Sequence, residues 1–152
     1  CVQNMLISAP QQGLGVAAML APHTRAEEER AGELLDFVGL YEKRHLIAGD
    51  LSFGQQKLLE FSMALMNGPR PLLLDEPTAG INPTLINGLM DRLQRANAEF
   101  GITLLVIEHN MRVIMNLAQR IYCLAHGELL AEGAPSEIRE DRRVIDAYLG
   151  AT

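Results

Sequence analysis

Three blocks of this 152-residue chain carry side chains that could act on a phosphate group. They are LSFGQ at residues 51–55, PLLLDEPTAGINP at residues 71–83, and TLLVIEHN at residues 103–110. The first block places Ser52 and Gly54 where a helix should begin, and the unsatisfied N–H groups of a helix start favour an anion. Ser52 and Gln55 also have the spacing of a capping box, so anion binding and helix capping both stay open for this block.

Two adjacent carboxylates, Asp75 and Glu76, follow the apolar run Leu72–Leu74. A short continuous apolar run predicts a strand of a parallel sheet that is covered on both faces. Open α/β sheets bind ligands at the carboxyl ends of their strands, which is where the two acids fall. Because successive strand side chains point in opposite directions, we expect the two carboxylates to have different roles. The alternative interpretation is that the two carboxylates only cap the following turn.

The residues before these acids predict a helical part of the chain, residues 1–67, which is incomplete at its N-terminus. Thr24 and Glu27 have capping-box spacing and open a helix over Arg25–Val38. A second helix is expected to start at Ser52, and it is apolar nearly all round, which predicts that it is buried.

Residues 68–152 predict an α/β part. After the first strand, the expected elements are a helix opened by Asn82 and Pro83, a buried strand at residues 102–107, a helix from about Asn110, a hairpin at residues 120–132, and short closing helices. Sequential strands joined by a helix indicate a parallel sheet, and the hairpin should turn at His126-Gly127.

Composition excludes several classes of protein. The formal net charge of −6 and the pI near 5.2 argue against a nucleic-acid binder, which needs clustered cations. Only two cysteines are present, without metal-like spacing, so a disulfide framework or a zinc site is not expected. No apolar run reaches the roughly 18 residues that a membrane span requires.

Taken together and in this order, the three blocks resemble the ATP-binding subunits of ABC transporters, specifically the branched-chain amino-acid (or amide and urea) importer group. Residues 108–138 and the closing VIDAYLG, residues 144–150, resemble the same group. The resemblance implies an α/β fold of the P-loop NTPase-like ABC ATPase type. It would comprise a helical subdomain, then part of the core sheet lobe and a C-terminal hairpin with helices.

The resemblance also implies a role for the first block, which matches the signature motif of the family. In that motif the residues press on the γ-phosphate of an ATP molecule bound by the opposite subunit. The matching nucleotide-contacting residues are Leu51, Ser52, Phe53, Gly54 and Gln55. Phe53 replaces the commoner glycine, which the amino-acid importer group tolerates.

The other two blocks match further motifs of the family. By resemblance, Asp75 holds Mg²⁺ through water, while Glu76 orients and deprotonates the water that attacks ATP. Asn82 lies in the equivalent of the D-loop, where aspartate is usual, and it has the sequence context of a helix N-cap as well. His109 matches the switch histidine, which contacts the γ-phosphate and the attacking water.

The sequence contains no GxxxxGK followed by Ser or Thr, the loop that cradles phosphates in this family. We therefore expect that the chain begins inside a longer domain, that the parent protein hydrolyses MgATP to drive import, and that this segment alone is inactive. The implied partners are a second ATP-binding subunit and transmembrane permease subunits, with the protein peripheral on the cytoplasmic side of a bacterial-type cell membrane. Missing sheet strands would leave an uncovered edge and favour a strand-exchanged homo-oligomer.

Two alternatives remain. One is a non-transport ABC ATPase that acts on DNA or ribosomes, which the acidic charge and the importer-like C-terminal residues disfavour. The other is a non-catalytic interaction module derived from an ABC ATPase. Such a module would be indifferent to MgATP and to substitution of Glu76.

Overall fold

The structure, a computed structural model, describes residues 1–10 and 22–149 of the chain. The backbone divides into two compact units on either side of the Ile107–Glu108 peptide. The domain boundary expected between residues 67 and 68 falls inside the first unit and stays a prediction. Gly150, the last residue of VIDAYLG, lies outside the described residues.

Both units combine helices and strands, which confirms the predicted α/β class. The first unit contains α1 (Val2–Ile7), α2 (Arg25–Phe37), α3 (Phe53–Leu65), β1 (Pro71–Asp75), α4 (Pro83–Phe100) and β2 (Thr103–Ile107), with short 3₁₀ turns at Tyr41–Lys43 and Ala48–Asp50. The second contains α5 (Met111–Leu117), β3 (Ile121–Ala125), β4 (Glu128–Gly133), α6 (Pro135–Glu140) and α7 (Arg142–Val144), followed by a π-helical turn at Ile145–Leu149.

The three helices that precede the sheet pack on one another. The predicted capping box opens α2, since Thr24 Oγ1 accepts from the Glu27 N–H at 3.2 Å and Glu27 Oε2 accepts from the Thr24 N–H at 2.7 Å. Ser62 of α3 is fully buried and donates to the Met5 sulfur of α1 at 3.1 Å. The expectation that α3 is buried is met only in part. Only part of its circumference is covered by neighbouring elements, and Phe53 and Glu60 are exposed.

Strands β1 and β2 form a parallel pair in which Pro71 lies opposite Thr103 and Asp75 opposite Ile107. The prediction that both faces of this sheet are covered is wrong, because exposure alternates along each strand. Leu73 of β1 is 70% exposed and Ile107 of β2 is 62% exposed, so the described helices cover a single face. Among residues 1–10 and 22–149, these strands pair only with each other, as expected for a sheet with uncovered edges.

Helix α4 connects the two strands and has the ends that the sequence predicts. Asn82 Oδ1 accepts from the Thr84 N–H at 3.0 Å, and Pro83 occupies the first helical position. Gly101 ends the helix with a left-handed backbone, at φ +66°. Leu89 and Leu93 on its inner face are buried.

The second unit is built on the predicted hairpin. Strands β3 and β4 are antiparallel, and the turn between them has positive φ at His126 (51°) and Gly127 (82°). Its core is a cluster of buried side chains, to which α5 contributes partly buried ones; the buried members are Ile121, Cys123, Ala131, Ile138 and Val144. No helix of the described residues, in either unit, has the length and apolarity to span a membrane.

Candidate functional site

The LSFGQ block forms the turn that leads into α3. Ser52 is the N-cap of this helix, and Gln55 Oε1 accepts from the Ser52 N–H at 3.1 Å. Gln56 also stabilises the turn, because its Nε2 donates to the Leu51 carbonyl at 3.2 Å. The side chain of Leu51 is buried, whereas Ser52 and Phe53 are exposed. The block therefore caps a helix, which is one of the two interpretations that the sequence left open. Ser52, at the start of that helix, faces solvent.

Asp75 and Glu76 lie where β1 ends. Asp75 is the last residue of the strand and is exposed. The Glu76 N–H continues the parallel ladder by donating to the Ile107 carbonyl at 2.9 Å, but the Glu76 backbone then turns left-handed, with φ +44°. The Glu76 carbonyl accepts from the Ala79 N–H at 3.0 Å, which closes a turn. In a regular strand, the side chains of Asp75 and Glu76 would point in opposite directions. This alternation does not apply to Glu76, because its backbone leaves the strand conformation.

The loop after Glu76 packs on the LSFGQ turn. A β-carbon added to Gly80 would lie 3.0 Å from Cε1 of the Phe53 ring, so the ring rests on the bare glycine backbone. A β-carbon added to Gly54 would lie 2.9 Å from Leu85 Cδ1 and 3.8 Å from Ile81 Cγ2. Gly54 thus makes a close approach to protein atoms of its own chain. These two contacts join the first and second blocks into one surface.

Asn82 and His109 occupy different settings. Asn82 caps α4, so the structural interpretation of this residue is confirmed, and a role toward nucleotide stays a prediction. His109 is exposed and belongs to the second unit, next to Asn110, whose Oδ1 accepts from the Val113 N–H at 3.4 Å and caps α5. Glu108 Oε2 accepts from the Asn110 N–H at 3.4 Å.

Within the first unit, the structure therefore unites the LSFGQ turn with the loop that carries Gly80 and Asn82, and places Asp75 and Glu76 directly before that loop. Sequence reasoning missed Gly80 as the residue on which Phe53 rests. The available signal was a glycine in the second block together with an aromatic residue at the start of a helix in the first. Nothing in their spacing indicates that they touch.

A magnesium ion at the end of β1 would have to be held jointly by Asp75 and a phosphate ligand. The described residues include no group of three or more His, Cys, Asp or Glu side chains placed to bind a metal by themselves. Mg²⁺ in nucleotide-hydrolysing sites is commonly bound through one or two carboxylates, waters and substrate phosphates. An exposed carboxylate at a strand end, as in Asp75, is suited to that arrangement.

Comparison with known proteins identifies the family. The ABC transporter family matches residues 3–79, and the family described as branched-chain amino acid ATP-binding cassette transporter matches residues 128–152. The first match includes the LSFGQ turn and both carboxylates. The second begins at the first residue of β4.

Individual relatives agree with this result. The high-affinity branched-chain amino acid transport ATP-binding protein BraF of Pseudomonas aeruginosa is 40% identical over 98% of this chain and 61% of its own length. The protein LivG of Escherichia coli, described in the same words, is 35% identical over the same shares. The ADP conformation of MJ1267, an ATP-binding cassette of an ABC transporter, is 30% identical with a TM-score of 0.82, over 98% of this chain and 62% of that one.

The chain thus spans about three fifths of the length of these relatives, 61% for BraF. The α/β fold agrees with the family match and with the solved ATP-binding cassette. The chain belongs to the ABC transporter ATP-binding family, and its relatives are ATP-binding proteins of branched-chain amino acid transport.

Proposed function

We propose that this chain forms the part of an ATP-hydrolysing importer subunit that carries the signature motif, the carboxylates Asp75 and Glu76, and the switch histidine. The importer would transport branched-chain amino acids or similar small solutes. The observation that carries the proposal is the seating of the LSFGQ turn on the loop that directly follows Asp75 and Glu76. This contact places the turn expected to meet the partner subunit's nucleotide against the loop that follows the residues expected to activate water.

Glu76 is assigned as the general base. Its carboxylate is exposed at the end of β1, and its N–H is fixed to the Ile107 carbonyl, so the backbone that carries the base is anchored to the sheet. A carboxylate at such a position can orient a water molecule and accept its proton. Asp75 would hold Mg²⁺ through water, and the bound ion would neutralise charge that develops on the phosphate oxygens.

The LSFGQ turn is assigned to the γ-phosphate of ATP held by a second ATP-binding subunit. Ser52 offers a hydroxyl donor at an exposed helix start, where the helix dipole favours negative charge. Asn82 would contribute from the neighbouring loop, and His109 would contact the γ-phosphate and the attacking water. The assignment predicts function only in a dimer, because the turn of one subunit completes the site of the other.

The 152-residue chain by itself is proposed to be inactive. In P-loop proteins the glycine-rich loop and its lysine provide most of the contacts to the β- and γ-phosphates. This chain instead supplies the residues proposed to contact the γ-phosphate of ATP held by the second subunit and the residue proposed to activate water. In the assembled importer, the protein would lie at the cytoplasmic face of the membrane, bound to the permease subunits. The chain alone would form strand-exchanged oligomers through the edges of the β1–β2 sheet.

Phosphate release and ATP binding test the proposal. They should be measured with Mg²⁺ for the 152-residue chain and for this chain joined to its upstream coding sequence. We expect turnover only from the extended chain. In that chain, Glu76→Gln should lower kcat by about a hundredfold or more while ATP binding persists, because only the proton acceptor is removed.

Glu28→Gln serves as the matched control, since Glu28 is an exposed residue of α2 far along the sequence from either motif. It should leave kcat unchanged. Normal turnover by Glu76→Gln would refute the role of Glu76, and tight ATP binding by the 152-residue chain would refute its assignment as half of a site. Indifference of the extended chain to MgATP would favour the interaction module.

A further inference from the structure

The ring of Phe53 makes two contacts. It rests on Gly80, where an added β-carbon would lie 3.0 Å from Cε1, 3.4 Å from Cζ and 3.8 Å from Cδ1. In addition, Lys57 Nζ lies 5.7 Å from the ring centroid, within the range of a cation–π interaction. Phe53 is nevertheless 52% exposed, so the ring is fixed in place without being part of the hydrophobic core.

Gly80 is suited to this contact in two respects. Its φ of +70° is in the left-handed region that side chains disfavour, and its missing β-carbon leaves the space that the ring fills. Next to it, Ile81 and Leu85 contact Gly54 in the same way. The start of α3 and the loop before α4 therefore meet through two glycines, one on each side of the contact.

We propose that Phe53 is a positioning residue for ATP hydrolysis, and that it acts by fixing the LSFGQ turn on Gly80 of the loop after Glu76. This inference rests on the proposed function. With the ring in place, Ser52 and Asn82 keep a constant separation and reach the nucleotide of the partner subunit together. Loss of the ring, or a β-carbon under it, would let the turn and the loop move independently.

The proposal makes the effects of substitutions at the two positions non-additive. In the extended chain, Phe53→Ala and Gly80→Ala should each lower kcat by about tenfold, because small displacements of positioning groups are costly to turnover. The KM for ATP should change by less than about twofold, since the turn acts on nucleotide that the other subunit already holds. The double variant should be no slower than the slower single variant, because both changes remove the same contact.

Gly101→Ala is the matched control for backbone strain. Gly101 has nearly the same φ, +66°, but no atom lies within 4 Å of its added β-carbon. It should lower stability as Gly80→Ala does, yet leave kcat per bound nucleotide unchanged. Counting active sites by bound nucleotide separates loss of folded protein from loss of positioning.

The urea midpoint of the same four proteins, unsubstituted, two single variants and double, should be measured in the 152-residue chain as well. Non-additive midpoints are expected from the Phe53–Gly80 contact. Additive midpoints, or fold losses in kcat that multiply in the double variant, would overturn the positioning role. An extended chain without ATPase activity would overturn the proposed function and this role with it, while the midpoints would still report on the contact alone.

Discussion

The left-handed backbone of Glu76 should make glycine more stabilising than alanine at this position. Glu76 has φ +44°, and a residue with a β-carbon loses about 1–2 kcal/mol in the left-handed region. Glycine avoids this cost but gives up about 0.5–1 kcal/mol through the greater freedom of its unfolded chain. The difference leaves Glu76→Gly more stable than Glu76→Ala by about 0.75 kcal/mol at the midpoints of the two ranges, and by about 0–1.5 kcal/mol over their full span. Both variants lack the carboxylate, so any interaction of the side chain cancels between them.

Glu28 provides the opposite case within the same unit. It is exposed in the first turn of α2, where the backbone is helical and glycine costs up to about 1 kcal/mol relative to alanine. Urea unfolding of the four variants, followed by circular dichroism, should therefore give differences of opposite sign at the two positions. If Glu76→Gly is less stable than Glu76→Ala by as much as at Glu28, the backbone at Glu76 is not strained and the reasoning is refuted. Opposite signs would mean that stability is given up at the position of the proposed base.

Three further outcomes are expected. Thr24→Ala should cost about 1 kcal/mol in urea unfolding, because it removes the hydroxyl that accepts from the Glu27 N–H; an unchanged midpoint would show that the cap is not formed in solution. Leu93→Ala should cost about 2–5 kcal/mol, and Leu85→Ala clearly less, since Leu93 is 0% exposed and Leu85 is 49% exposed; equal losses would contradict the burial. Burial raises the pKa of the Cys123 thiol, so iodoacetamide at mildly alkaline pH should modify Cys123 at least about tenfold faster in urea than in the folded chain, as peptide mapping would show.

The helix ends and the hairpin could be predicted from sequence because their determinants are local. Asn82 and Pro83 fix the start of α4 through one side-chain acceptor and one restricted φ, and Gly101 fixes its end through a left-handed backbone. The turn at His126-Gly127 is determined in the same way, by residues that tolerate positive φ.

Coverage of the β1–β2 sheet could not be predicted in this way. An apolar run such as Leu72–Leu74 gives no indication of which neighbours are present, so the run predicted two covered faces while Leu73 is exposed. The left-handed backbone of Glu76 could not be predicted either, since glutamate has no preference for this conformation. For the proposed site, the sequence predicts the motifs through their order, whereas the contact between Phe53 and Gly80 depends on the folded chain.

The seating of Phe53 on Gly80 has a consequence for how these sequences diverge. A β-carbon at position 80 already meets backbone strain at φ +70°, and with a ring at position 53 it would also compete for the space that the ring fills. During divergence, the aromatic ring at position 53 should therefore be lost before a residue with a β-carbon appears at position 80. Among aligned relatives, an aromatic residue at position 53 should accompany glycine at position 80, and the two positions should covary although the chain separates them by a whole helix and a strand.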